Sequence, residues 1–375
     1  MSKADTIYFW LIEQFATNAI AVGEQLPSEH TLSVRFGTSR PQVREALARL
    51  FHEGLIETRR GKGSFRKAAS LPVQSNKDIA VILPHLSGYV YPALVEEAER
   101  AIREKGFQAL FSCSGGSHHT EAEVLKRLAE RPLAGILISP SFDLFPGSSK
   151  NVYLLRQFSA KGIPVVILDH QWEGFSCIYL DDFRAGQRAA RYLLGKGHRS
   201  LGLCSRSGHT PFVLRSQGFK TAYLESQKND SFEDRELSVS ELYLPEEQRQ
   251  EWKGLIKNYL ASPHRPTALF CVNDILAFEV WQEATALGLR IPEDISLLGF
   301  DNAPLITQPD IKLTTFEYPA GFIGRRGVQL LFELLEQGEK YPPLHHTITI
   351  EPILIERSSV SYKIPQSEEI VYESP

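Results

Sequence analysis

Four cysteines in 375 residues, at 113, 177, 204 and 271, are too few and too scattered for a disulfide framework. None has the C-x-x-C spacing of a zinc or redox motif. Most lie in or beside short apolar runs, where a free thiol behaves as a small hydrophobe. No stretch approaches the roughly 20 consecutive apolar residues a membrane helix needs. Met1 to Lys3 lead straight into an amphipathic Ile7 to Phe15 without a cleavable leader, so a cytoplasmic protein with no membrane partner is expected. Catalytic patterns are missing too. No Ser/His/Asp or paired-carboxylate grouping stands out, and Gly61-Lys62-Gly63-Ser64 has Ile56 where a phosphate loop needs its first glycine. His118-His119 and His345-His346 lack the i, i+4 or C-x-x-C partners of a metal site. No enzyme activity, cofactor or metal is expected.

The length favours two or three compact units, and the 42% hydrophobic content is ordinary for a globular chain. The net charge of −4 hides a division. Residues 1 to 69 hold ten Lys or Arg against seven Asp or Glu, and the remainder 31 against 38. The basic surface is therefore confined to the N-terminal end.

That end has an ordered pattern from Gly23 to Phe65. Ser28 is placed to cap a short helix that Gly37 ends in a left-handed conformation. Ser39 then caps a second helix, with Gln42 three residues on completing a capping-box pattern. Val43, Ala46, Leu47, Leu50 and Phe51 form one apolar stripe, leaving Ser39, Arg40, Gln42 and Arg44 on the free surface. Gly54 ends this helix before a strand at Ile56 and Thr58 and the turn-rich Arg60-Gly61-Lys62-Gly63. From Arg35 to Lys67 there are nine Lys or Arg against three Glu, a balance suited to phosphates. Helix, turn, helix and basic hairpin describe a winged helix-turn-helix, whose second helix enters the major groove. Asp5 to Ala21 reads as a further helix behind it, with Ile7, Trp10, Leu11 and Phe15 on one face.

These residues closely resemble the DNA-binding domain of the GntR family, through Leu26-Pro27-Ser28-Glu29, Thr38-Ser39-Arg40, Val43-Arg44, Ala46-Leu47, Leu50, Glu53-Gly54-Leu55 and Gly61-x-Gly63-x-Phe65. The resemblance implies that Ser39, Arg40, Pro41, Gln42 and Arg44 form the groove-reading end, and Arg60, Gly61 and Lys62 the wing tip. Ser28 and His30 are further candidate contacts, His30 standing where the family usually has an arginine.

Residues 68–77 are small, polar and Pro-containing without a period, the mark of a linker. Beyond Asp78, apolar runs alternate with helical stretches. Ile79 to Leu83, Gly135 to Ile138, Val165 to Leu168, Ser200 to Cys204, Ala268 to Cys271 and Ile295 to Leu298 are such runs. Between them lie helical stretches such as Pro92 to Lys105, Glu121 to Arg131, Asn151 to Lys161, Phe183 to Lys196, Glu246 to Leu260 and Ile275 to Leu287. Glycines at 106, 162, 197 and 288 follow four of these helices as left-handed caps. The pattern predicts an α/β chain with two doubly wound parallel sheets, one on either side of about Asp181. Ligands of such sheets bind beyond the carboxyl ends of the strands.

Several motifs in this region look like the effector-binding core of the LacI/GalR family, a type I periplasmic-binding-protein-like fold. They are Asp181-Asp182-x-x-x-Gly186, Arg215-x-x-Gly218-Phe219, Asn273-Asp274-x-x-Ala277, Gly288-Leu289-x-Ile291-Pro292, Gly299-Phe300-Asp301-Asn302, Leu313-Thr314-Thr315 and Arg357-x-Ser359. The resemblance implies a sensor over 78–362 whose chain crosses between lobes near Tyr179, Phe316 and His345. Lobe 1 would be 78–179 with 317–345, lobe 2 would be 180–316 with 346–362, and residues 363–375 a tail. The strand Thr347 to Ile355 would belong to the second lobe, and a ligand would sit between the lobes.

Carried over by position, the effector contacts are Tyr89, Tyr91, Asp169 and Trp172 from the first lobe, and Arg215, Asn273, Asp274 and Asp301 from the second. Carboxylates, an amide and a guanidinium suit the hydroxyls of a sugar, and an aromatic ring suits its apolar face. Asp274 serves equally as the cap of the next helix, Asp301 as a turn residue, and Trp172 or Tyr89 as core or dimer contacts. The combination of head and sensor resembles the AraR type of arabinose-responsive repressor. It implies a homodimeric repressor of carbohydrate-utilisation genes on palindromic operator DNA, released by arabinose or a related sugar. A sugar-binding transport protein and an enzyme fused to a GntR-type head are the alternatives.

Overall fold

Short runs of branched apolar residues are stable as strands only where both faces of a sheet are covered. The computed structural model describes residues 2–67, 77–141, 150–206, 209–228, 239–307, 311–337 and 345–363. The linker except Lys77, and the tail except Lys363, lie outside them. The chain forms two units, Met1–Tyr179 with Ala320–Thr349, and Leu180–Pro319 with Ile350–Pro375.

Unit 1 begins with the head, made of α1 (Lys3–Ala16), α2 (Glu29–Phe36), α3 (Arg40–His52), β1 (Ile56–Arg59) and β2 (Gly63–Arg66). Its core gathers Ile7, Tyr8, Leu11, Ile12 and Phe15 of α1 with Leu32, Val43, Ala46, Leu50, Leu55 and Ile56. α1 stops five residues earlier than expected, because Thr17 caps it and Asn18 turns left-handed at φ 55°. A capping box that the sequence reading overlooked, Ser2 with Asp5, starts it. Gly37 does end α2 at φ 55°, with Ser28 accepting from Thr31 N.

The capping box expected at α3 does not form. Ser39 has the cap backbone but no capping side-chain bond, and Gln42 instead pairs with the Thr38 hydroxyl. Phe51, placed on the apolar stripe, is 56% exposed. β1 and β2 pair antiparallel from Ile56↔Arg66 to Arg59↔Gly63.

The rest of unit 1 is a sheet of order β13-β7-β6-β5-β3-β4. Its strands are β3 (Asp78–Leu83), β4 (Gln108–Cys113), β5 (Gly135–Ile138), β6 (Val165–Leu168), β7 (Ser176–Leu180) and β13 (Thr347–Ile350). The helices α4 (Tyr91–Glu104), α5 (His118–Leu128), α6 (Lys150–Ala160) and α11 (Ala320–Gln337) accompany it. β3 through β7 pair in parallel.

Unit 2 repeats the plan in the order β14-β12-β11-β10-β8-β9. These strands are β8 (Leu201–Ser205), β9 (Ser240–Tyr243), β10 (Ala268–Cys271), β11 (Ser296–Asp301), β12 (Thr314–Glu317) and β14 (Ile353–Ile355). Only β14 joins antiparallel, on β12. Its helices are α7 (Asp182–Gly195), α8 (Thr210–Lys228), α9 (Trp252–Ala261) and α10 (Asp274–Ala286). The expected helix 246–260 is broken, since a 3-10 turn over Glu246–Glu251 with a non-helical Gln248 precedes α9. α7 and α8 can touch only because glycines face the contact. A Cβ on Gly186 would stand 2.0 Å from Arg215 O, and one on Gly218 1.9 Å from Phe183 O.

The expected single strand 347–355 is two strands, one in each sheet. The two units exchange the chain at Pro319/Ala320 and Thr349/Ile350, a few residues beyond Phe316 and His345. The amide of Cys177 in β7 donates to His346 O at 2.8 Å, which ties the first of these strands into unit 1. Strands β7, β9 and β12 were not anticipated, because Ser, Thr and Glu interrupt their apolar runs. Cys177, Cys204 and Cys271 are buried, and Cys113, on the edge strand β4, is exposed.

Candidate nucleic-acid interface and effector site

The head presents its polar residues where α3 begins. Ser39, Arg40, Pro41 and Arg44 are exposed and Gln42 is half-buried. Arg44 Nε lies 2.9 Å from Glu29 Oε2 on α2, with the guanidinium side chain 67% exposed. An exposed pair of this kind contributes little to stability, so Arg44 can leave Glu29 for a base or phosphate at small cost. Ser28 serves as the α2 cap through its Oγ, 3.1 Å from Thr31 N, and His30 is exposed beside it.

The wing tip is Arg60, Gly61 and Lys62, all exposed, with Gly61 at φ 75° and Gly63 at φ 95°. Gln25 Nε2 donates to Lys62 O at 2.6 Å and fixes the tip to the chain before α2. The basic excess is not all available to DNA. Arg35 lies over Trp10, Arg49 over Tyr8, Arg59 over Phe65, and Arg66 donates to Asn18 and to Ile20 O. Arg40, Arg44, Arg60, Lys62 and Lys67 remain exposed without such a ring contact, a distinction composition could not make.

In unit 2 the carboxyl ends of the strands carry a buried polar network. Arg215, on α8 and 4% exposed, donates from Nε to Asp182 Oδ1 at 2.7 Å and from Nη1 to Val272 O at 2.8 Å. The same Nη1 reaches Asp301 Oδ1 at 3.3 Å, and the guanidinium lies 3.6 Å from the Phe300 ring centroid. Two carboxylates, a carbonyl and an aromatic face thus surround one buried cation, which is the condition for keeping it charged. Asp301, the last residue of β11, has φ 109°, and Asn302 follows at φ 55°. Such a backbone at a non-glycine costs on the order of 1–3 kcal/mol and tends to mark ligand clamps.

Asn273 and Asp274 divide the two roles left open for Asp274. Asn273 is the helix cap, its Oδ1 accepting from Leu276 N at 3.1 Å. Asp274, fully buried, takes Ala303 N at 2.8 Å and Thr315 Oγ1 at 2.8 Å. It therefore braces the loop after β11 against β12, and of the two roles left open for Asp274 the cap falls to Asn273. Burial, reinforced by the nearby Asp301 charge, pushes its carboxyl up to about 8. Thr315 Oγ1 also reaches Phe316 O at 3.3 Å, so its hydroxyl can serve a protonated neighbour.

In unit 1 the corresponding strand end is Asp169, directly after β6, at φ 64°. Ser139 Oγ, after β5, donates to its Oδ2 at 2.8 Å. Tyr89 and Tyr91 are half-buried, with Tyr91 at the start of α4. Trp172 is 6% exposed and belongs to the apolar core with Val165, Ile167 and Phe175. Its core alternative is the one realised, because the loop after Asp169 folds back over that core.

Residues that sequence reasoning passed over include Asp182, which lies in the Asp181-Asp182 motif but faces Arg215, and Ser139, a lone serine after an apolar strand. Arg206, after β8, pairs with Glu246 at 2.5 Å. Among the described residues no cluster of His, Cys, Asp or Glu is arranged for a metal. No described helix is long and apolar enough to cross a membrane.

Comparison with known proteins agrees with this division. Residues 3–65 match the family model of bacterial regulatory proteins of the gntR family, and residues 190–360 that of a periplasmic binding protein-like domain. The arabinose metabolism transcriptional repressor of Geobacillus stearothermophilus is 30% identical over 319 residues, 84% of this chain and 86% of the relative. A solved putative LacI-family transcriptional regulator from Rhizobium etli is 26% identical with TM-score 0.58, covering 76% of this chain and 100% of the other. A LacI-family regulator from Enterococcus faecium, solved with bound ribose, shares the fold at 23% identity and TM-score 0.61, covering 77% and 100%.

Proposed function

We propose, for a chain that belongs to the family of the arabinose metabolism transcriptional repressors, a GntR-type head joined to a LacI-type sensor, that its effector is arabinose or a related sugar. The protein is a DNA-binding transcriptional repressor of that family. In this reading a homodimer places two heads on a palindromic operator, α3 enters the major groove through Arg40, Gln42 and Arg44, and the wing tip lies on the adjacent backbone. Sugar binding favours one sensor state over another and lowers operator affinity by its differential affinity for the two.

The observation that carries the sugar reading is the Asp301–Arg215 pair. A guanidinium fixed on three acceptors and a carboxylate in a strained backbone offer preset donors and acceptors at the carboxyl end of a parallel sheet, where sheets of this kind take ligands. Polyol hydroxyls, which both donate and accept, match that mixture. Asp169 with Ser139 offers a second acceptor site of the same type.

The test is titration calorimetry of the full chain with a panel of pentoses and hexoses, paired with fluorescence anisotropy on a duplex selected by the protein from a random library. One pentose should bind and weaken duplex binding at least tenfold. Asp301→Ala should retain duplex binding and lose the sugar response. A panel without any binder, or an Asp301→Ala protein that still releases DNA, rules the sugar reading out. Sedimentation should give a dimer, and a monomer on DNA would overturn the two-head arrangement.

A further inference from the structure

The linker sequence has no pattern of a hinge helix, so a second route from sensor to head is worth seeking, and unit 1 contains one. α1 of the head packs along α6 of the sensor. The Phe9 and Tyr153 rings stand 4.7 Å apart, Glu13 Oε1 pairs with Arg156 Nη1 at 2.9 Å, and Ala160 is part of the head's own apolar core. Arg156 is 18% exposed by its side chain, so this is a partly desolvated pair and not a loose surface contact.

α1 in turn is fastened to the reading helix. Tyr8 Oη donates to Glu53 Oε2 at 2.6 Å at the end of α3, and Arg49 of α3 lies 3.8 Å over the Tyr8 ring and 3.4 Å from Asp5. The Gln157 amide of α6 reaches the same Tyr8 hydroxyl, whose pKa is raised chiefly by burial and then by Glu53. At the other end, α6 leads through Gly162 into β6, which Asp169 directly follows. The loop after Asp169 returns to Arg156, since a Cβ on Gly174 would stand 3.9 Å from its Nη2. One arginine thus pairs with the head through Glu13 and lies near the loop beyond the candidate effector contact. Arg40, Pro41 and Arg44 remain exposed in this arrangement, so docking leaves the DNA-reading end open.

We infer that the α1–α6 surface is the control contact between sensor and head. The docked head is the DNA-competent one, and a ligand at Asp169 loosens it by displacing the 170–174 loop and Arg156. The effector half of this inference rests on the sugar reading above; the docking half does not.

Arg156→Glu sets two carboxylates against each other, and adding Glu13→Arg restores an opposite pair, which forms a charge-swap cycle in the full chain. Without sugar, Arg156→Glu should lower affinity for the selected duplex at least fivefold, and arabinose should then change it less than twofold. The double variant should return to within twofold of wild type in both respects, which also establishes that the fold is intact. Tyr153→Ala, which removes the ring contact and no charge, should give the same two losses, with calorimetric arabinose binding unchanged. Wild-type duplex affinity in Arg156→Glu and Tyr153→Ala, or no recovery in the swap, overturns the inference. If wild type binds no arabinose, the sugar reading fails while the sugar-free arm still decides the docking.

Discussion

The two sheets of this protein are built to one order, and their third strands, β6 and β11, both run into an aspartate with positive φ, Asp169 at 64° and Asp301 at 109°. What surrounds the two carboxylates differs. Asp301 faces a buried arginine that also holds Asp182 and a backbone carbonyl, whereas Asp169 accepts from a serine hydroxyl. An ion-pair network in a dry site is costly to rearrange; a neutral hydrogen bond is worth about 1 kcal/mol net and is readily exchanged. Under the sugar reading, unit 2 would supply the preset donors and acceptors, and unit 1, whose α6 meets α1 of the head, would supply the responsive contact.

The most severe way to break that comparison is Arg215→Ala. It removes the buried cation that Asp182 and Asp301 both face, and unit 2 should lose about 3–5 kcal/mol of stability, read by hydrogen exchange on β8 and β11 while β3 and β6 keep their protection. A loss below about 1 kcal/mol would mean the network is not what holds the second sheet's edge.

Next comes pH. Asp274 titrates near 8 when folded against 3.8 when unfolded. A raised carboxyl contributes stability that is complete below the unfolded value and is lost as pH rises through the folded one. Unit 2 should therefore soften between about pH 4 and 8, by a few kcal/mol, and Asp274→Asn should flatten that slope. His198 works in the opposite sense over a lower range. It is buried on Thr267 and Ser361 O, with its ring pushed below 6.5 by burial, so its contribution is present above pH 6.5 and fades as pH falls.

A control on the head separates recognition from stability. Arg44→Ala should cost on the order of 1–3 kcal/mol of specific duplex binding if it reads a base. Because its Glu29 pair is exposed, melting of neither sheet should move. The smallest effect is expected for Ser139→Ala, about 1 kcal/mol or less of stability, with the effector response altered more than the fold. A Ser139 variant as unstable as Arg215→Ala would erase the contrast between the two edges.

Much of this was legible in residue order. The winged head, the alternation of strands and helices, and the glycine caps at 106, 162, 197 and 288 all follow local periodicity or motif spacing. The misses share a cause, which is competition from groups the local pattern did not weigh. Gln42 turns to Thr38 instead of boxing with Ser39, Trp172 enters a core that its own loop covers, and Asn273 takes the cap while Asp274 is drawn to Ala303 and Thr315, 29 and 41 residues away.

Read alone, the sequence determined that there would be a basic DNA-reading module, two parallel sheets, and polar residues at the ends of their strands, because caps, turns and apolar periods act over a few residues. Only the tertiary structure decided which of those polar groups are spent inside the protein, that residues 347–355 divide between the sheets, and that α1 of the head rests on α6 of the sensor. Each of these depends on burial and pairing between segments far apart in the chain, whose energies have no local signature.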